Sequence, residues 1–114
     1  MNMKTINIEA GMPSPQQAMT TLNNRIYAER ASGAKCAKII HGYGSTGKGG
    51  TIKTVCRQKL NEYISRGLIK DYCAGEDLGP FSEDGRRFAE RCPEVRRDID
   101  WGRENNGITI VLFK

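Results

Sequence analysis

Histidine is nearly missing from this chain: His41 is the only one among 114 residues. The four cysteines, Cys36, Cys56, Cys73 and Cys92, are scattered, with none inside fifteen positions of another. Without a Cys-x-x-Cys pair or a second histidine, a zinc set of the usual spacing is excluded, and no metal ligands are assigned. Cys36 and Cys56 fall in apolar patterns, so buried reduced thiols are expected rather than a disulfide framework. Also missing is any apolar stretch near the roughly 20 residues of a membrane span. The first ten residues carry one lysine and no apolar core of signal-peptide length. A cytoplasmic protein with no membrane partner is the expectation.

Acidic residues are scarce in one region only. Residues 33–70 hold eight lysines and arginines against a single acid, Glu62, a net +7. Residues 71–114 hold seven basic and ten acidic residues, a net −3. A basic middle third favours an anionic partner, nucleic acid being the common case. The length suits one domain over 1–114, with no internal repeat.

Alternation in Thr5-Ile6-Asn7-Ile8 predicts a first strand, and Ser14-Pro15 predicts a helix start running to about Ala31. Ala34 to His41 reads as a central strand. Ile52, Val55, Cys56, Lys59, Leu60, Tyr63 and Ile64 predict a helix over Thr51 to Ser65, with Lys53 and Arg57 on its solvent side. Leu68 to Ala74 and Gly107 to Phe113 complete the strands, the last rich in β-branched residues. Between them, 75–106 is a charged insertion, with a short helix from Ser82 to Arg91, a turn at Pro93 to Arg97, and Phe81, Phe88 and Trp101 pinning it at the sheet edge. The pattern β-α-β-α-β-(insertion)-β implies an α/β two-layer sandwich with a mixed four-stranded sheet whose final strand is antiparallel to its neighbour.

The most telling stretch is Ile39-Ile40-His41-Gly42-Tyr43-Gly44-Ser45-Thr46-Gly47-Lys48-Gly49-Gly50. Strand, glycine-rich loop and helix can offer backbone N–H groups to a phosphate. Gly42-x-x-x-x-Gly47-Lys48 lacks the hydroxyl that a Walker A motif needs for magnesium, because Gly49 follows, so no nucleotide triphosphate is expected. Gly42-x-Gly44-x-x-Gly47 fits a dinucleotide fingerprint only on paper, since Glu62 falls within a helix and not at a strand end.

The same block is similar to the His-Gly-x-Gly-Thr-Gly segment of the Smr (small MutS-related) domain. Ile52-Lys53, a helix reaching Leu60 and the closing strand at Gly107-Ile108-Thr109-Ile110-Val111 follow in matching order. The resemblance implies a two-layer α/β fold like the C-terminal domain of bacterial translation initiation factor three, binding of DNA or RNA and, in some members, endonuclease activity. Smr domains often open on Leu-Asp-Leu-His-Gly; here Ile6-Asn7-Ile8-Glu9-Ala10-Gly11 stands there, with Asn7 for the acid and Glu9 for the histidine. Extra residues at Ser45 and Lys48-Gly49-Gly50 enlarge the second loop.

On this reading Gly42, Gly44, Ser45, Thr46, Gly47, Gly49 and Gly50 cradle phosphate, Lys48, Lys53 and Arg57 supply charge, and Tyr43 stacks on an unpaired base. His41 is the acid/base candidate, with Glu9 its carboxylate partner if the two strand ends adjoin. No resident cofactor is expected; a divalent metal enters only if the chain cleaves phosphodiesters. The rival is a non-catalytic adaptor that docks through the charged insertion.

Overall fold

A computed structural model of the chain describes residues 3–43 and 47–114, and for 47–51 the backbone path alone. The first strand, β1 (Lys4–Asn7), ends where the Asn7 side-chain oxygen accepts the backbone N–H groups of Glu9 and Ala10, both at 3.0 Å. Helix α1 (Pro15–Ala31) starts on a capping box: the Ser14 hydroxyl accepts the Gln17 N–H, and the Gln17 side chain accepts the Ser14 N–H. Its buried stripe is Ala18, Leu22 and Ile26; Tyr27 lies at the margin of that stripe, 41% exposed, and accepts a hydrogen bond from Arg66.

Strand β2 (Cys36–Ile40) leads to helix α2 (Gly47–Ser65), then to β3 (Asp71–Ala74). Helix α2 begins four residues before the expected Thr51. Gly47 to Gly50 therefore form its first turn and are not loop. Low helix propensity in glycine hid that turn from the sequence. A 3-10 turn at Gly75–Asp77, helix α3 (Glu83–Arg91, N-capped by Ser82), a second 3-10 turn at Pro93–Arg97 and strand β4 (Ile108–Leu112) follow.

The sheet order is β1-β2-β4-β3. β1 lies parallel to β2, while β4 is antiparallel to both β2 and β3. The mixed four-stranded α/β arrangement expected from the sequence is present. Period-two alternation assigns side chains to faces. Ile6, Ile8, Ala37, Ile39, Val111 and Phe113 pack with α1 and α2, whereas Cys36, Ile108, Ile110 and Leu112 point to the opposite face.

That second face corrects one expectation. Segment 75–106 does not merely fringe the sheet edge: Leu78, Phe88, Ala89, Cys92 and Val95 cover the face that α1 and α2 leave open. Trp101 packs against this cluster, but Phe81 is 95% exposed and pins nothing. All four cysteines are buried, and Cys56 and Cys73 are free thiols pushed up to about 12 by burial. Cys36 and Cys92, expected as reduced thiols, are instead joined as a disulfide. The pairing spans 56 positions and depends on the C-terminal end of α3 being carried across the sheet to β2, which local spacing cannot reveal.

The insertion is also held by charge. Lys38 projects from β2 among the second-face residues and is nearly buried, with its ammonium 3.0 Å from Asp98 and 2.8 Å from Asp100. Burial works against that charge, but the hydrogen bonds and charges of Asp100 and Asp98 outweigh it and hold the ammonium above its ordinary pKa. Removing one member of such a set strands the others. Lys38→Met should lower unfolding free energy by about 3 kcal/mol, whereas Arg91→Met, breaking the exposed pair with Asp71, should cost under about 1 kcal/mol. Urea unfolding at pH 7 compares them; equal losses would contradict the ranking.

Candidate functional site

His41 follows β2 directly, at the end of the sheet from which the chain runs toward α2. It is fully buried on the face that carries α1 and α2. Nδ1 lies 2.8 Å from the Gly42 carbonyl oxygen, which can only accept, so Nδ1 carries the proton. Nε2 is then a lone-pair acceptor, to which the Thr109 hydroxyl donates a hydrogen bond at 2.8 Å. Thr109 Oγ1 in turn accepts the Arg57 Nε–H at 3.3 Å. The outer end of the Arg57 guanidinium pairs with Glu76, Nη2 to Oε1 at 3.1 Å. One chain of hydrogen bonds therefore links the end of β2, the start of β4, helix α2 and the turn after β3.

The electrostatics follow from that geometry. Burial, with the charges of Arg57 and Lys53 adding to it, lowers the His41 pKa to about 4, against the opposing pull of the Gly42 hydrogen bond and of Glu76. His41 is thus neutral at pH 7. Glu76 is held below its ordinary range: burial pushes its pKa up, but the Arg57 hydrogen bond and the Arg57 and Lys53 charges outweigh that. Arg57 does not lie on the solvent side of α2 as expected. Its side chain folds inward to Thr109 and Glu76 and is 23% exposed. Residues 53 and 57 flank the stripe of Ile52, Cys56 and Leu60, which turns them toward the sheet end.

Glu9 and Gly42 adjoin, as adjacent strand ends require. The parallel register of β1 and β2 continues through the Ile8 N–H to Ile40 carbonyl bond of 3.0 Å. The Glu9 carboxylate then lies directly over Gly42, where a Cβ would collide with it. Gly42 also has φ +87°, a left-handed conformation that suits glycine, and it shares the Gly107 carbonyl with the His41 N–H. Tyr43 is mostly exposed, its ring near the Gly107 backbone.

Of the expected phosphate cradle, Gly44, Ser45 and Thr46 lie outside the described residues, as does the side chain of Lys48. Gly47, Lys48, Gly49 and Gly50 form the opening turn of α2, where backbone N–H groups have no partner within the helix. Lys53 is partly exposed one turn further on. Sequence reasoning missed Thr109 and Glu76. Thr109 was open to discovery as the one polar residue in Ile108–Leu112, but Glu76 sits in the charged segment with nothing to distinguish it.

The domain model described as Smr matches residues 11–78, more than half the chain. The chain belongs to the Smr domain family. The match spans α1, β2, the glycine-rich segment, α2 and β3, and stops short of β1 with Glu9 and of β4 with Thr109. No curated protein and no solved structure matches the chain.

A buried neutral histidine makes stability depend on pH. The unfolded imidazole, near pKa 6.5, gains a proton before the folded one, so stability from this group falls as pH drops from about 6.5 toward about 4. The expected loss at pH 4.5 is about 2.5 kcal/mol relative to pH 7. His41→Gln removes this component while leaving the carboxylates to titrate. Urea unfolding at both pH values should show a smaller acid loss in His41→Gln than in the parent. Equal losses would mean that His41 is protonated in the folded state.

Proposed function

We propose that the chain binds nucleic acid through the opening turn of α2 and the side chains beside it, and that cleavage by it is weak or absent. The observation that carries the binding half is the meeting of a glycine-rich helix start with Lys48 and Lys53 at the head of a segment of net +7. Free N–H groups at a helix start suit phosphate oxygens, and lysine suffices as a point charge for contacts that do not read sequence. Membership of the Smr family, which generally binds nucleic acid, supports the same reading. Arg57, occupied by Thr109 and Glu76, serves here to fix α2 against the sheet and only secondarily adds positive potential.

The arrangement argues against efficient cleavage. Phosphodiester hydrolysis needs a proton acceptor and a proton donor at the reacting phosphate. His41 is neutral at pH 7, and both ring nitrogens are engaged. Asn7 cannot titrate and is committed to the β1 turn. Glu9 is exposed beside Gly42, and the Glu76 carboxylate is committed to Arg57.

Binding of labelled single- and double-stranded DNA and RNA, read across a range of salt concentrations, tests the reading. Affinity should fall steeply with salt, and Lys48→Ala with Lys53→Ala should flatten the log–log slope by about two units at most. Unchanged binding in that pair would move the contact to the arginines of the insertion and favour the adaptor reading. Efficient nicking of supercoiled DNA, abolished by Glu9→Gln or His41→Ala, would overturn the second half.

A further inference from the structure

On the sheet face opposite the proposed nucleic-acid contact, three potential metal donors converge from three elements. Cys36 comes from β2, Cys92 from the end of α3 and Glu94 from the 3-10 turn that follows. The two sulfurs and a Glu94 oxygen all lie within 4.8 Å of one another, with Cys36 Sγ 3.9 Å from Glu94 Oε2. Cys36 and Cys92 are buried, while Glu94 is partly exposed and opens the cluster to solvent on one side. Pro93, first in its 3-10 turn, fixes φ between the two donors and turns Glu94 back toward Cys92.

We propose that the reduced chain binds one zinc-class divalent ion through Cys36, Cys92 and Glu94, with water in a fourth position. Two thiolates and one carboxylate match the donors zinc takes, and thiolate content disfavours magnesium or calcium. A tetrahedral set with bonds of about 2.3 Å to sulfur and 2.1 Å to oxygen has a sulfur–oxygen edge of about 3.6 Å. The observed 3.9 Å from Cys36 to Glu94 is close to that edge. The Cα atoms of the two cysteines are 6.9 Å apart, at the upper end of disulfide spans, so the sulfurs can part by side-chain rotation alone. The disulfide and the metal site are then two states of the same donors. A dithiol or phosphine supplies the two electrons that open the disulfide; two protons complete the thiols. The ion displaces both thiol protons to solvent as it binds. The sequence hid this site because its donors are 56 and 58 positions apart across the sheet.

Cobalt(II) is the probe. The full chain, reduced by a phosphine under anaerobic conditions and freed of the reductant, should bind one equivalent with a thiolate-to-cobalt charge-transfer band, which one equivalent of zinc removes. The oxidised chain should show no band. Cys56→Ser with Cys73→Ser should retain it, and Cys36→Ser should lose it. Because a buried substitution can unfold the chain, Glu94→Gln gives an independent reading: both thiols remain, and cobalt affinity should drop at least about tenfold. Circular dichroism checks that each variant is folded. No band from the folded reduced parent, a band surviving in folded Cys36→Ser, or undiminished affinity in Glu94→Gln would each overturn the proposal.

Discussion

The buried imidazole of His41 is the constraint around which the functional end of the sheet is organised. A ring with no exposure must have both nitrogens satisfied, and here each partner is dictated by a different element. The Gly42 carbonyl fixes the tautomer, and the tautomer requires a donor at Nε2. Thr109 supplies it, and the remaining capacity of its hydroxyl draws in Arg57 from α2. Glu76 then balances the guanidinium. Loss of any member leaves a polar group unsatisfied in a region of low dielectric, which makes the set cooperative. The left-handed Gly42 turn, held by Gly107, launches the glycine-rich segment from this fixed base.

The opposite face is built on a different logic. Two helices cover one side of the four-stranded sheet, and an exposed face of Ile108, Ile110 and Leu112 would leave a large apolar patch in water. The insertion solves this by folding over it, tied by Lys38 between Asp98 and Asp100 and by the Cys36–Cys92 link. Burial on both faces explains why β4 is apolar at nearly every position, a pattern usual for a central strand. The sheet thus separates a face bearing the proposed nucleic-acid contact from one bearing the thiol pair.

Legibility in the sequence tracked the range of the interactions. Ser14-Pro15 and the β4 run are local signals, and each marks its element within a few residues. The His-Gly-x-Gly block identified the family because that motif is contiguous. The first turn of α2, Gly47 to Gly50, is not legible because four residues with three glycines do not read as helix. The inward turn of Arg57, the Thr109 and Glu76 partners, and the joining of Cys36 to Cys92 are long-range, and each depends on the order β1-β2-β4-β3. Apolar residues scattered through 75–106 gave no period, so the layer they form was not visible before the fold placed it.

Nitrogen-15 NMR of the single histidine tests the central claim most directly, since ring nitrogen shifts report both tautomer and charge. A neutral ring with the proton on Nδ1 should persist from pH 7 down to about 5, protonating only toward about 4. Thr109→Val should raise that midpoint or shift the tautomer balance by removing the Nε2 partner. A parent titrating near 6.5, or carrying its proton on Nε2, would contradict the account.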